Sequence, residues 1–334
     1  MYDKALKNVF VFSTGSSALL LNTNADIARR VISTKIHPMS FSEFMEIKYD
    51  IKISKTISTK IEDAIFNSNN SKEIFEKLEK IETEIKKIYF KIKPFAFDEY
   101  LNYSSLPYVL GLDNKEIILN TIRKSVERII MKDMSINNEL DSKTLGTVEH
   151  ILYAVANMDT INFSTLSQKL GISRSTVSDI FSRLEKTELL IRIYPKGSHF
   201  KQVTNKPSKF LFASPVFRNM YYTRLGSIID EKNGRGKLLE DLISMYIMRI
   251  KERYFPCSLT FDNEDNGADF IFSVGDKKIV IEVGVNKDKH KQVLQTMKRI
   301  ESNLGIVLSE QETELKYDKK NNIVTVPLSY FVLI

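Results

Sequence analysis

A chain of 334 residues, 43% hydrophobic and 27% charged, has enough apolar content for two or three cored domains. Its single cysteine, Cys257, excludes an internal disulfide and a cysteine-based zinc cluster, and its four histidines show no metal-ligand spacing. No apolar run reaches the roughly 18 residues of a membrane helix and no leader pattern is visible, so a cytoplasmic protein with no membrane partner is expected; a net charge of +7 permits nucleic-acid binding without establishing it.

Val9–Phe12 is a short apolar run that predicts a buried strand. It ends in Ser13-Thr14-Gly15-Ser16-Ser17, small polar residues at a strand's carboxyl end, where open α/β sheets bind ligands. Ala28-Arg29-Arg30-Val31 and Pro38-Met39-Ser40-Phe41-Ser42-Glu43-Phe44 follow.

This order resembles the sensor-strand region of prokaryotic, archaeal-type AAA ATPases that carry a C-terminal domain of poorly defined function, with Arg29 where the family usually has Gly. The resemblance implies that residues 1–48 are the C-terminal remnant of a domain that uses ATP and Mg²⁺. Ser16 would then be the sensor contact to phosphate, and Arg30 a second phosphate-side candidate. A phosphate-binding loop is missing: Gly234-Arg235-Gly236-Lys237-Leu238 lacks the earlier glycine and puts Leu238 where Ser or Thr would hold Mg²⁺. ATP hydrolysis by the chain alone is therefore not expected.

Residues 53–93 read as helical and highly charged, with Ile74, Leu78, Ile81, Ile85 and Ile88 as one heptad-like seam ended by Pro94. A helix packed on its own domain is expected, with a partner-docking hairpin as the alternative. Helices continue to about residue 137, and Tyr100-Leu101 with Ser105-Leu106-Pro107 resembles the lid of the same ATPases, so 49–140 is expected to be a helical lid.

Residues 141–215 carry the most specific pattern. Leu145–Asn157 and Phe163–Leu170 predict two helices, the second capped by Ser164; Gly171-Ile172-Ser173 predicts a tight turn, with Ser173 capping a third helix, Arg174–Thr187. Leu189–Tyr194 and Lys209–Ala213 predict strands around a basic loop. The expectation is a winged helix-turn-helix. Arg174, Ser175, Ser178 and Arg183 would face DNA from the third helix, with Arg174 at base edges, while Lys196, His199, Lys201, Lys206 and Lys209, in or beside the wing, could contact phosphates. Asp179 on the same helix opposes phosphate, and a packing or protein-contact role is the alternative.

Residues 216–334 predict a second α/β unit: a helix over 236–253, strands near Leu259, at 268–272 and 278–283, a helix over 287–304, and strands at 306–308 and 323–326. Its order resembles restriction-endonuclease-like folds, which implies a metal site of Glu240, Asp269 and Glu282 that could share one divalent ion. Gly284 stands where the family has its catalytic lysine, so cleavage is expected to be absent or very slow unless Lys287 or Lys289 takes over. The fold class is thus a multidomain α/β chain: ATPase remnant, helical lid, winged helix, nuclease-like domain. Three functions remain open: a portion of an ATP-binding protein acting on DNA or protein, with a missing N-terminal ATPase half or a second copy as partner; a non-enzymatic DNA-binding protein; and a metal-dependent nuclease.

Overall fold

The computed structural model describes residues 32, 34–133, 142–197, 206–224, 231–285 and 290–334. Within them lie thirteen α-helices and one eight-stranded mixed sheet. Ser16, Arg30 and the strand expected at 9–12 lie outside the described residues, as do His199, Lys201, Lys287 and Lys289.

The first helices are short because their caps are close together. α1 (Phe41–Tyr49) opens on a capping box between Ser40 and Glu43 and stops at Asp50, whose φ of 54° is left-handed. α2 (Lys55–Phe66), α3 (Ser71–Glu79) and α4 (Glu82–Tyr89) follow. The charged stretch at 53–93 is therefore three helices, broken where Asn70 caps α3 and where the chain turns at 80–81. Its seam is real all the same: Ile74, Leu78, Ile81 and Ile85 are buried. α5 (Ala96–Glu99) runs into a π-helical turn over Tyr100–Ser104. α6 (Lys115–Arg128) is capped by Asn114.

The winged helix comprises α7 (Ser142–Asn157), α8 (Phe163–Leu170), α9 (Arg174–Lys186), β1 (Leu190–Pro195) and β2 (Lys209–Phe212). Asn162, two residues ahead of the expected Ser164, caps α8; its side chain accepts from the N–H groups of Ser164 and Thr165. Gly171 closes α8 with φ 65°, the conformation that glycine adopts without Cβ penalty. α10 (Pro215–Arg224) and α11 (Glu231–Lys251) lead into β3 (Cys257–Phe261), β4 (Phe270–Val274), β5 (Lys277–Gly284), α12 (His290–Ile300), β6 (Leu304–Ser309), β7 (Lys316–Asp318), β8 (Ile323–Pro327) and α13 (Leu328–Phe331).

The sheet order is β2-β1-β3-β4-β5-β6-β8-β7. The wing hairpin is part of it. β1 runs parallel to β3 through Tyr194 opposite Thr260 and Pro195 opposite Phe261, and the N–H of Lys196 donates to the Phe261 carbonyl at 2.8 Å. Wing and C-terminal unit thus share one hydrogen-bonded sheet.

Packing does not follow the boundaries at 140 and 215. Residues of α1–α4, with Tyr100 and Leu101, join α11 and one face of the C-terminal strands in a single core. That core includes Phe41, Phe44, Phe66, Leu242, Tyr246, Phe272, Ile281 and Phe331. Helix α6 packs instead with α7–α10 and the inner face of the wing, through Ile118, Ile122, Val126, Val155, Phe181 and Phe212. The opposite sheet face is covered by α12, where Val293 and Met297 meet Val280, Val307 and Ile323. The expected lid, 49–140, is divided between the first two cores.

Candidate functional site

The third helix of the winged unit is built as the sequence predicts. Ser173 Oγ accepts the Thr176 N–H at 3.0 Å and lies 2.7 Å from Ser175 Oγ. Val177, Ile180, Phe181 and Leu184 are buried, which turns Arg174, Ser175, Ser178 and Asp179 outward, with Arg183 half-buried. The N-terminal half of the helix is therefore an exposed face of small polar groups headed by an arginine and also carrying the Asp179 carboxylate. Such a face suits base edges in the major groove.

At the foot of this helix is a crevice lined by Asn162, Phe163, Arg174, Arg192, Lys206 and Ser208. Arg192 comes from β1. Its guanidinium carbon lies 4.4 Å from the centre of the Tyr194 ring, 5.2 Å from Phe163 and 5.4 Å from Phe210. Its Nε donates to Ser208 Oγ at 3.2 Å, and Glu185 lies 3.9 Å from Nη1. Sequence reasoning overlooked Arg192 because a charge within a strand reads as an ordinary outward position.

Lys196 is placed differently from a free phosphate contact. Its Nζ lies 3.4 Å from Asp262 Oδ1, and the Asp262 carboxylate also accepts from Thr296 Oγ1 and Arg299 Nη1, both at 2.7 Å. Burial would raise this carboxyl, but the Thr296 and Arg299 hydrogen bonds and the Lys196 charge outweigh it and hold it below its ordinary value.

Glu240, Asp269 and Glu282 meet at one place, joined by Lys209, which is buried between carboxylates and is not the wing phosphate contact the sequence suggests. Lys209, the first residue of β2, is buried and reaches Glu240 Oε2 at 2.8 Å and Asp269 Oδ1 at 2.9 Å. Backbone groups add to the cluster: Asp269 Oδ2 accepts from Val283 N–H at 3.1 Å, and Glu282 Oε2 accepts from Asp269 N–H at 3.0 Å. Burial alone would lower the Lys209 ammonium, but Asp269 and Glu240 reverse this and keep it protonated. Burial first, then the Asp269 charge, raises Glu240. The lysine sits between the two carboxylates that the nuclease resemblance would give to a cation. Among the described residues no group of three or more His, Cys, Asp or Glu is arranged to hold a metal ion. The cluster fits a resident ammonium better than Mg²⁺.

A second buried pair lies beside it. Arg218 of α10 donates through Nε and Nη2 to Asp241 at 2.6 and 2.8 Å, and through Nη1 to the carbonyls of Val155 and Ala156 at 3.0 and 2.7 Å. Asp241 also accepts the Phe212 N–H at 2.9 Å. Burial pushes Asp241 up to about 6 against the pull of Arg218, so both are charged at neutral pH. Lys209 and Arg218 together tie α7, α10 and the wing to α11.

Ser16 and Arg30, the nucleotide candidates, lie outside the described residues. Among the described residues no helix is long and apolar enough to cross a membrane.

Residues 149–197, which span most of α7, all of α8 and α9, and β1, match the MarR family. The whole chain is 35% identical over 338 aligned residues to an uncharacterized protein of the archaeon Methanocaldococcus jannaschii. It spans 66% of the length of that relative. No solved structure matches the chain.

Proposed function

We propose that this chain binds duplex DNA through its winged helix and does not cleave it. The observation that carries the reading is the outward face of Arg174, Ser175 and Ser178 on a capped helix, within the segment that matches the MarR family. A winged helix of this build places that helix in the major groove and its wing along the backbone. The carboxylate cluster supports the second half of the reading. With Lys209 between Glu240 and Asp269, a metal ion would have to displace a buried, doubly paired ammonium. The alternative of an ATP-binding protein rests on Ser16 and Arg30 and stays at the level of the sequence resemblance.

The test is a titration of fluorescent duplex DNA with the full chain at two salt concentrations, without nucleotide or divalent metal. A salt-sensitive complex is expected, because neutralising phosphates releases counterions. No complex at low salt would remove the reading. Adding Mg²⁺ should produce no nicking of supercoiled DNA; nicking lost in Asp269→Ala would restore the nuclease.

A further inference from the structure

We infer that the crevice formed by Arg174, Arg192 and Lys206 is a seat for one backbone phosphate of the bound DNA, so that Arg174 anchors the duplex instead of reading a base. This rests on the DNA-binding reading above. Three cations from three separate elements converge there: the start of α9, the middle of β1 and the segment entering β2. Glu185, 3.9 Å from Arg192, offsets them in part. The described lining residues themselves carry three positive charges and no carboxylate.

Arg192 is the centre of the seat, and its position is fixed before any ligand arrives. Three aromatic rings lie within 5.4 Å of its guanidinium carbon and Ser208 accepts from Nε. A guanidinium held in plane suits an oxyanion better than a flexible ammonium, because its donors form a rigid fork. Most of its rotamer entropy is already lost in the free protein, so less is lost on binding. The strand that carries it is itself hydrogen-bonded to β3, which anchors the seat in the large sheet. Its place also matches the ligand. Arg174 is the first residue of α9, and Ser175 and Ser178 lie further along the same exposed face. A phosphate held at the foot would set the register of those serines on the base edges, which is what backbone contacts do.

The test compares the parent with Arg192→Met, Lys206→Ala and Arg174→Ala on two duplexes of unrelated sequence across a range of salt. Met keeps the apolar stem of Arg192 against its rings; Lys206 is exposed, so its truncation leaves the core intact. Lys72→Ala, on remote α3, serves as the control for lost charge. Each seat variant should weaken both duplexes by the same factor, about tenfold for Arg192→Met, and lower the slope of log affinity against log salt by up to about 1. Arg192→Met with Lys206→Ala should lose less than the product of the single effects, since both cations serve one phosphate. Slopes unchanged from the parent, or a loss for Arg174→Ala confined to one duplex, would overturn the seat while leaving DNA binding standing. Thermal stabilisation of the parent by inorganic phosphate, with the DNA slope intact in Arg192→Met, would make the crevice a free-anion site and equally overturn the inference. Absence of DNA binding by the parent would instead remove the reading beneath it.

Discussion

Replacing Lys209 by Met should be among the most damaging single changes in this protein. Lys209 has 7% of its side chain exposed, and Glu240 and Asp269 have 18% and 14%. Removing the ammonium leaves two mostly buried carboxylates facing each other. Breaking a buried pair costs roughly 3–5 kcal/mol, because the remaining charge loses its partner without regaining water. For a domain of 150–250 residues each kcal/mol lowers the melting temperature by about 2–4 °C; for this larger chain the low end applies, giving a fall of roughly 6–10 °C. The loss should shrink as pH falls. Glu240 already sits above its ordinary value through burial and the Asp269 charge. A carboxyl whose folded value exceeds its unfolded one takes up its proton in the folded state first, so acidification favours that state. Lys209→Met combined with Glu240→Gln and Asp269→Asn should recover much of the loss, since no buried charge remains. Differential scanning calorimetry at two pH values measures all three quantities. A fall under about 1 kcal/mol at neutral pH, or a triple variant no better than the single, would refute the view that the carboxylates depend on this lysine.

Three further outcomes follow from buried contacts. Arg218→Met removes four hydrogen bonds, two to Asp241 and two to carbonyls at the end of α7; denaturant unfolding should show a loss of at least about 3 kcal/mol, and Arg218→Lys should not rescue it, lacking the planar fork. Asp262 lies below its ordinary value, so it contributes stability that is complete above about pH 4 and is lost as pH falls through its lower folded value; a melting-temperature profile should show that acid-side fall, and Asp262→Asn should flatten it. Gly305 on β6 is overlaid by α12: a Cβ there would fall inside contact distance of Met297 Sδ and 2.7 Å from Val293 Cγ1. Gly305→Ala should therefore destabilise by roughly 1–3 kcal/mol in the same unfolding assay.

The winged helix was legible because its rules are local. Gly171 at a left-handed turn, Ser173 as a cap and the buried stripe Val177, Ile180, Phe181, Leu184 all lie within a few residues of what they determine. The strands of the C-terminal unit were legible for the same reason; only the short β7 was missed, where Lys316–Asp318 has no apolar alternation. What escaped depends on residues far apart in the chain. Pairing of β1 with β3 joins positions about 66 residues apart and leaves no periodic trace. Lys209 opens a strand in which every residue is buried, so a lysine there reads as the solvated end of the wing. Arg218 was hidden in the same way, although a lone arginine on the otherwise apolar stretch Val216-Phe217-Arg218 signals a buried charge that must find a partner. Glu240 and Asp269, grouped in the sequence by the nuclease resemblance, both pair with Lys209, a cation from another part of the chain.

The central claim is that the exposed face of α9 meets DNA, and one comparison tests it most directly. Ser178 lies in the middle of that face. Ser178→Glu adds a carboxylate there without touching the buried stripe, so the melting temperature should stay within a degree or two of the parent. In a fluorescence-anisotropy titration at low salt, the parent should bind duplex DNA and the variant should bind at least about tenfold more weakly, since a carboxylate facing phosphates and base acceptors is repelled. Equal affinity of the two proteins would show that this face is not the one DNA meets.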